Sequence, residues 1–547
     1  MTSTTTAPPA PALPGAEDRS RPGRRPLLAG VLPAVYLATA VFGCWWIDVS
    51  LSSVLAGWQD TWRLLQRMTP PTFGPIGELA SLVIQTLLIA VAGTGLATIA
   101  SVPLAAASAS TYTGSRAVQA LARALIIVTR AIPSLVFAII FVRVFGLGPM
   151  AGGLAIAVHS VGMIAKLYAD ALEEQDGAPV EAITATGATR LQTFLSTVWS
   201  RSVPTLAGIV LYRLDINIRA SAVLGLVGAG GIGVALQTAM GSLNYPRAAG
   251  IVLVIVGLIL LLELLSVTVR RRLSTHRRAN TASQLFSVGR EPFTLGWDGP
   301  RVRRLLLGLG TAALFGYSLW ALNADLGRVR GSLPNLWALL SGMVPPALSV
   351  EILVAVMESL LMAMTATTVG VVLGLVLALL ATDLLVRNSV ISGAVRLLVV
   401  LMRGVPDIIF ALLFVAALGL GPFAGFLALS ISCTALAAKF FTDSLENLDP
   451  APREALEATG ASRLQVLVSG VWPQFVPAFL GNSLFTSDLA LRESAVLGIV
   501  GAGGVGFLLH ESTATLHYET TSAILILLIV VVFAIESAAR WVRRQVF

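Results

Sequence analysis

The chain has 547 residues, of which 56% are hydrophobic and only 12% charged, and its net charge is +8. This balance excludes an ordinary soluble globular protein. The positive charge does not indicate a nucleic-acid partner, because the arginines gather beside hydrophobic runs. Two cysteines and four scattered histidines indicate neither a disulfide framework nor a metal site. The composition therefore predicts a polytopic α-helical membrane protein.

Segment 1–26 is rich in Thr, Pro, Ala and Arg and is predicted to be a disordered cytoplasmic tail. Apolar runs long enough for a bilayer span, which takes about 20 helical residues, then occur six times in each half of the chain. Because 271–303 is basic and polar, it is predicted to be a cytoplasmic linker between a first repeat, 27–270, and a second repeat, 304–547. The predicted spans are 28–48, 78–110, 120–146, 150–170, 200–218 and 246–268, then 304–322, 351–383, 392–418, 420–441, 473–491 and 520–539.

One phrase of fifteen residues occurs twice. RASAVLGLVGAGGIG begins at Arg219, and RESAVLGIVGAGGVG begins at Arg492, 273 residues later, with twelve of the fifteen positions identical. The chain is therefore predicted to be two fused copies of one unit. The same offset relates Arg130 to Arg403, Pro133 to Pro406, Lys166 to Lys439, Glu181 to Glu454 and Trp199 to Trp472.

Arginine clusters flank the apolar runs at Arg19–Arg25, Arg270–Arg278, Arg301–Arg304 and Arg540–Arg544. Since Lys and Arg stay on the cytoplasmic side, both termini and the linker are predicted to be cytoplasmic. Each half then holds an even number of spans, so the two repeats have the same orientation. The predicted fold is all-α, with about 12 transmembrane helices as two parallel six-helix repeats.

Between the fourth and fifth predicted spans of each half, a polar segment interrupts the hydrophobic pattern. It reads EAITATGATRLQ from Glu181 and EALEATGASRLQ from Glu454. Asp176 with Gly177, and Asp449 with Pro450, are helix-start signals, and the central glycine predicts two short helices meeting at a bend. The pattern resembles the EAA loop of ABC importer permeases. The resemblance implies a type I ABC importer fold and docking onto two cytoplasmic ABC ATPases through Glu181, Ala182, Gly187, Glu454, Ala455 and Gly460.

The chain carries no nucleotide-binding motif of its own. A P-loop needs a lysine after a glycine, and the only two lysines, Lys166 and Lys439, do not follow one. ATP and Mg are therefore expected on the partner ATPase, and no cofactor is expected on this chain. An HExxH motif, a paired His/Asp set and a suitable GxSxG turn are absent from the sequence, so the protein is predicted to be a transport subunit and not an enzyme.

The glycine-rich segments after the fifth span, VGAGG in both copies, are predicted to form turns with positive φ. They are placed on the outer side or dipping back into the membrane, where irregular backbone needs shielding by protein or an aqueous cavity. A dinucleotide site is not indicated, because no strand–helix alternation surrounds them. The residues predicted to form an outer gate are Gly228, Gly230, Gly231, Gly501, Gly503 and Gly504.

Repeated charges inside the apolar runs indicate function, because intramembrane charge is costly. Lys166 with Asp170 and Asp215 with Arg219 are four residues apart, so each pair is predicted to meet on one helical face; neutralisation that only holds the bundle together stays an alternative. Neither Arg130 nor Arg403 has an acidic residue within four positions on its N-terminal side, and the proline three residues later is predicted to break the helix. An arginine beside freed backbone suits a phosphoryl-type anion.

The segment from Asn217 to Gly233, with Arg130–Pro133, resembles the phosphonate/phosphite branch of ABC importer permeases, and shares elements with the methionine branch. This implies inward transport of phosphonate, phosphite, phosphate or a related oxyanion delivered by an extracytoplasmic binding protein at a bacterial inner membrane. An ion-coupled secondary transporter and a permease for a methionine-like amino acid stay open. The implied substrate path contains Arg130, Ser134, Asn217, Arg219, Ser221, Arg403, Asp407, Arg492 and Ser494.

The second copy departs from this pattern. Asn217 is replaced by Ala490, while Glu493 and Asp407 stand where the first copy has Ala220 and Ser134. Two interpretations stay open: the first half supplies most ligand contacts, or the added carboxylates pair with Arg492 and Arg403. In the second case the C-terminal half would be a gate.

Overall fold

The structure is a computed structural model that describes residues 25–109, 115–175, 178–284, 299–323, 326–382, 384 and 388–546. Within these ranges it is helical, without strands. The first half contains α1 (Arg25–Trp46), α2 (Leu51–Arg67), α3 (Ile76–Ser108), α4 (Arg116–Ala131), α5 (Ser134–Phe145), α6 (Pro149–Glu173), α7 (Ala178–Ala185), α8 (Arg190–Thr193), a π-helix (Phe194–Trp199), α9 (Ser200–Leu224), a 3₁₀ turn (Gly225–Val227), α10 (Ile232–Gly241) and α11 (Tyr245–Gln284).

The second half repeats this order, with most elements beginning within two residues of the 273-residue offset. The duplication and the predicted fold class are confirmed. The helices are α12 (Gly299–Ala321), α13 (Leu326–Gly331), α14 (Leu333–Gly342), α15 (Val350–Ala381), α16 (Ser389–Gly404), α17 (Asp407–Leu418), α18 (Pro422–Glu446), α19 (Ala451–Ala458), α20 (Arg463–Val466), a π-helix (Leu467–Val471), α21 (Trp472–Gly498), α22 (Gly504–Ala514) and α23 (Tyr518–Val546).

Seven of the described helices are long and apolar enough to cross a membrane, and three bent helix pairs bring the total to ten. α11 continues to Gln284 and α12 begins at Gly299, so both described ends of the predicted linker 271–303 are helical. The rest of that linker, 285–298, and residues 1–24 of the predicted tail lie outside the described residues. The domain boundaries stay a prediction.

Two predicted spans, 120–146 and 392–418, are each broken into two helices. α4 and α5 meet at 91°, and α16 and α17 meet at 81°. The residue before each proline, Ile132 or Val405, adopts extended backbone, because the proline ring clashes with an α conformation at that position. The predicted breaks at Pro133 and Pro406 are confirmed. We call Ile132–Pro133 the first bend and Val405–Pro406 the second bend.

The first helix of each half packs against the other half. α1 lies on α15, where the Thr365 hydroxyl donates a hydrogen bond to the Ala40 carbonyl at 3.2 Å, and the Tyr36 hydroxyl of α1 lies 3.2 Å from Ser487 Oγ of α21. α12 lies on α3 in the equivalent way, with the Phe315 ring closely covering Gly95. The two halves therefore exchange their first helices. We call the surface between the halves the seam.

The short helices after α1 and α12 are exchanged as well. α2 packs on α17, and α14 packs on α5. The Asn335 amide of α14 donates to the Val144 carbonyl of α5 at 3.3 Å. One hydrophobic core runs through the seam and contains buried side chains from both halves, among them Ile89, Leu135, Met362 and Ile408.

The two glycine-rich turns adopt the predicted backbone. Gly228, Gly230 and Gly231 have φ between 78° and 84°. Their second-half counterparts, Gly501, Gly503 and Gly504, have φ between 70° and 94°. The first turn packs so closely on α6 that a Cβ at Gly152 would overlap the Ala229 carbonyl oxygen. Glycine at this position of α6 is therefore required for the turn to reach the helix.

We expect Gly152→Ala to destabilise the fold, because the added methyl meets backbone that cannot move aside cheaply. Overpacking of this kind costs about 1–3 kcal/mol. Gly257→Ala on α11 is the matched control, since an added Cβ there has no atom within 4 Å. Thermal unfolding in detergent, followed by tryptophan fluorescence, should give a lower apparent Tm for Gly152→Ala only. Equal Tm values for the two variants would contradict the tight contact.

Candidate functional site

Charged side chains from the two halves meet across the seam. Arg130, at the end of α4, lies 3.8 Å from Glu536 of α23. Arg403, at the end of α16, lies 3.8 Å from Glu263 of α11. The two contacts are equivalent under the 273-residue offset, so each half supplies the carboxylate that faces the arginine at the other half's bend.

A second pair of arginines lies beside these contacts. Arg219 of α9 is 3.2 Å from Asp215 and 3.6 Å from Glu263, so Glu263 faces two arginines. Arg492 of α21 is 2.8 Å from Asp488. The predicted pairing of residues four apart is confirmed for Asp215 with Arg219, and also for Lys166 with Asp170 at 2.5 Å. The corresponding second-half pair, Lys439 with Asp443, has the same 2.5 Å separation.

The cross-seam ion pairs leave hydrogen-bonding atoms unused. Their 3.8 Å separations exceed the 2.7–2.9 Å usual for a charge-assisted N–H···O hydrogen bond. In the described part of the chain, the buried Nε atoms of Arg130, Arg219 and Arg492 have no hydrogen-bond acceptor, and Oε2 of Glu263 has no donor. The arginines therefore keep donors that an additional oxyanion could accept from.

The first half contains a buried polar network behind these arginines. The Asn217 amide donates to Thr94 Oγ1 at 2.8 Å and accepts from the Ser160 hydroxyl at 3.0 Å. Nε of Arg213 donates to the same serine oxygen at 3.4 Å, and Arg213 is only 6% exposed. The second half places Thr367, Ala490, Cys433 and Thr486 at these positions, so it lacks both the amide and the guanidinium.

The surroundings of the two bends differ in charge. At the first bend, His159 Nδ1 lies 3.0 Å from the Ile132 carbonyl oxygen, and the ring is within electrostatic range of Arg213 and Arg492. With Arg130 this brings three guanidinium groups near the first bend, of which two form ion pairs, Arg130 with Glu536 and Arg492 with Asp488.

At the second bend, the Ser432 hydroxyl donates to Asp407 at 2.6 Å, and Glu493 is within electrostatic range of Asp407. Two arginines, Arg219 and Arg403, lie here with four carboxylates, and one of these carboxylates, Glu493, is also within electrostatic range of Arg492. Among the described residues, neither Arg403 nor Arg492 lies at ion-pair distance from the added carboxylates, so the direct pairing considered from the sequence is not formed. The four carboxylates are Asp215, Glu263, Asp407 and Glu493.

Three of the predicted path residues lie inside the halves. Asn217 is 1% exposed, and Ser221 and Ser494 are fully buried. The Ser221 hydroxyl donates to the Thr86 carbonyl at 2.9 Å, and the Ser494 hydroxyl donates to Leu491 at 2.7 Å. Ser134 is partly exposed at the start of α5. The path role of these four residues stays a prediction.

The glycine-rich turns are held from α3 and α15. Gly231 N–H donates to Gln85 Oε1 at 2.8 Å, and Gly504 N–H donates to Glu358 at 3.2 Å. Because Gln85 is nine residues into α3, or about 14 Å at 1.5 Å per residue, the turn lies inside the bundle and not at its outer surface. This favours the alternative in which the segment dips into the membrane. The gate role of the six glycines stays a prediction.

The two polar loops form the predicted pair of short helices. α7 and α8 flank Gly187, and α19 and α20 flank Gly460, whose φ values are 82° and 81°. The Asp449 carboxylate accepts from Ala451 N–H at 3.0 Å, which confirms this helix-start signal; Asp176 and Gly177 lie outside the described residues. The EAA residues of both loops, including Glu181 and Glu454, are exposed.

Sequence reasoning missed Glu263, Glu536 and Arg213. The 273-residue offset relates Glu263 to Glu536, so applying the repeat to the last span would have identified both. Arg213 has no charged counterpart in the second half, and only its position four residues before Asn217 indicates a shared helical face. No group of three or more His, Cys, Asp or Glu side chains suited to a metal ion occurs within the described ranges.

Two segments of the chain, 101–278 and 370–547, match the family described as the binding-protein-dependent transport system inner membrane component. The chain is 40% identical over 508 residues to the phosphate-import permease protein PhnE of Mycolicibacterium smegmatis, covering 92% of each chain. It is 35% identical over 239 residues to the phosphite transport system permease protein PtxC of Stutzerimonas stutzeri, covering 44% of this chain and 87% of that one.

A solved structure of the MetNI methionine ABC transporter, in an inward-facing conformation, is 23% identical with a TM-score of 0.33. The match covers 36% of this chain and 96% of that one. The two family segments fall one in each half, and the relative from M. smegmatis is similar along nearly its whole length. The chain therefore belongs to the family of binding-protein-dependent transport system inner membrane components and is a multi-pass permease subunit of an ABC importer.

Proposed function

We propose that this permease imports a phosphonate, phosphate or related small oxyanion, and that the oxyanion crosses the membrane along the seam. The observation that carries the proposal is the group of four arginines at the seam, which are Arg130, Arg219, Arg403 and Arg492. All but Arg403 keep a buried Nε donor without an acceptor among the described residues. Guanidinium groups suit phosphoryl oxygens because they present several donors in a planar fork. The relatives named for phosphate and phosphite transport support the same substrate class.

The oxyanion binds at the first bend. Two of the three guanidinium groups there have an ion-pair partner, while Arg213 has none among the described residues, so a negatively charged ligand would be the counter-charge of the third. The second bend carries the added Asp407 and Glu493, so a further anion is repelled. Asn217 and Ser160 support the first site from behind, since they fix Arg213 within the buried network.

ATP hydrolysis takes place on two partner ATPases that dock on the polar loops. Glu181 and Glu454 are exposed, and neither forms an ion pair or a side-chain hydrogen bond with another described residue, so both are available to a partner. ATP and Mg bind to those partners. An extracytoplasmic binding protein delivers the oxyanion at the opposite side, both termini are cytoplasmic, and the glycine turns form the outer gate.

A second candidate, an ion-coupled transporter, is favoured by one feature: Asp407 and Glu493 are close together within the second half. Such a mechanism would use these carboxylates for proton or cation coupling. It assigns no role to the exposed polar loops. A methionine-like substrate is the remaining alternative, and the 26% identity to the methionine import permease protein MetP of Bacillus subtilis covers only 27% of this chain.

We expect uptake to depend more on Arg130 than on Arg403. In proteoliposomes with the partner ATPase and binding protein, Arg130→Gln should reduce labelled phosphate uptake at least about tenfold, because a hydrogen bond to a charged group contributes about 1.5–3 kcal/mol. Arg403→Gln should reduce it less than about threefold, because the oxyanion does not bind at the second bend. Threefold is about 0.65 kcal/mol, which is less than a hydrogen bond to a charged group contributes. Both proteins must remain monodisperse with similar Tm values. Equal losses would show that the two bends act symmetrically.

We expect uptake to require ATP and both polar loops. Glu181→Ala or Glu454→Ala should each reduce ATP-dependent uptake of labelled phosphate or phosphonate about fivefold or more, since truncating an interface anchor costs more than about 1 kcal/mol. Glu174→Ala is the control, because Glu174 is also exposed and lies just before α7. Uptake that follows an ion gradient, with or without ATP, would instead support the ion-coupled mechanism. Uptake of methionine but not of phosphate would change the substrate class.

A further inference from the structure

Glu263 and Glu536 are carboxylates within the last membrane helix of each half. Glu263 stands about two helical turns before the arginine run that starts at Arg270, and Glu536 stands four residues before Arg540. With the predicted orientation, both lie in the cytoplasmic half of their spans. A carboxylate at the centre of a span costs a few kcal/mol on insertion scales, and one buried nearer the end of the span still needs a counter-charge. The repeat nevertheless contains one in each copy.

Each carboxylate contacts an arginine at the bend of the opposite half. Contacts within one helix are short, with Arg492 at 2.8 Å from Asp488 and Arg219 at 3.2 Å from Asp215. The ion pairs described for Glu263 and Glu536 are longer, between 3.6 and 3.8 Å. The cross-seam carboxylates therefore neutralise the arginines without saturating their N–H donors.

A carboxylate whose contact with an arginine is long is well suited to being replaced at that arginine by a stronger anion. A carboxylate offers two acceptor oxygens and one negative charge, whereas a phosphate or phosphonate offers three or four oxygens and up to two charges. Both compete for the same guanidinium groups, whose unused Nε donors favour the ligand with more acceptors. Chloride or acetate, with fewer acceptors or charges, gains no such advantage over the resident carboxylate.

We propose that Glu263 and Glu536 are built-in counter-anions of the path. Each occupies the arginine at the opposite bend and joins the two halves at the cytoplasmic side until the transported oxyanion displaces it. This inference rests on the proposed oxyanion path. The two glutamates would then determine specificity, because an anion crosses the membrane along the seam only if it binds arginine better than a tethered carboxylate does.

The test uses the full-length chain in lipid nanodiscs and measures binding of inorganic phosphate by titration calorimetry. Glu536→Gln removes the competing charge and keeps the side-chain shape, so phosphate should bind at least about fivefold more tightly, the lower end of the range for coupled sites. Glu263→Gln should give a smaller gain, because Asp407 and Glu493 still repel phosphate at the second bend. Acetate should compete with phosphate in these variants and not in the parent.

Glu446→Gln is the matched control. Glu446 also pairs with an arginine, Arg396 at 2.7 Å, but both belong to the second half and are well exposed, so phosphate affinity should not change. Glu536→Asp is a milder variant that keeps the charge and withdraws it from Arg130, and it should give a smaller gain. In the Arg130→Gln background, Glu536→Gln should give no gain, because no guanidinium is released.

The outcomes separate the inference from the proposed function. Phosphate binding that weakens with Arg130→Gln, but is unchanged by either glutamate substitution, would overturn the counter-anion role and leave the oxyanion path intact. Absence of phosphate binding in the parent and in every variant would overturn both. A gain for Glu446→Gln equal to that for Glu536→Gln would attribute the effect to net charge and would also overturn the inference.

Discussion

The arrangement depends on one constraint: an arginine inside a membrane bundle must be neutralised, and here the neutralising group comes from the other half. Arg130 faces Glu536 and Arg403 faces Glu263, both across the seam. Neither half alone contains both partners of these pairs. The exchanged first helices impose the same dependence on the hydrophobic core, since α1 completes the surface of α15 and α12 completes that of α3. The charges and the core thus require two copies facing each other.

The two halves share one arrangement of helices but differ in the polar and charged residues that it holds. The first half has a buried Asn217 and Arg213, while the second half has Ala490 and Thr486 at those positions. The second half adds Asp407 at the start of α17, where the backbone geometry of the bend is nearly unchanged. Fusion of two copies in one chain lets each copy change independently, so a symmetric scaffold can hold a positively charged bend and a negatively charged one.

Much of the fold follows from local sequence rules. The 273-residue repeat is visible as sequence identity. The breaks at Pro133 and Pro406 follow from the geometry of the proline ring, and the positive φ of the turn glycines follows from their missing Cβ. The pairing of Asp215 with Arg219 follows from helical spacing. The right-angled bends were not predictable, because a proline removes a hydrogen bond without setting the direction of the next helix.

The partners across the seam could not be derived in the same way. Arg130 and Glu536 are 406 residues apart, and nothing local to either indicates the other. Asn217 was placed in the path by resemblance, yet its side chain is enclosed within the first half, between Thr94 and Ser160. Which face of α9 points to the seam is decided by packing, and the apolar pattern of a membrane helix carries little information about that packing.

The exchange of first helices brings the two halves together, and cross-linking a split chain tests it directly. An ideal Cβ on Gly43 lies within contact of Thr365 Oγ1, so cysteines at these positions come close enough for a disulfide. The chain would be divided between residues 285 and 298, with Cys44 and Cys433 replaced by alanine. The account predicts that Gly43→Cys and Thr365→Cys link the two fragments after mild oxidation of the folded protein. Folded fragments that co-purify but stay unlinked would contradict it.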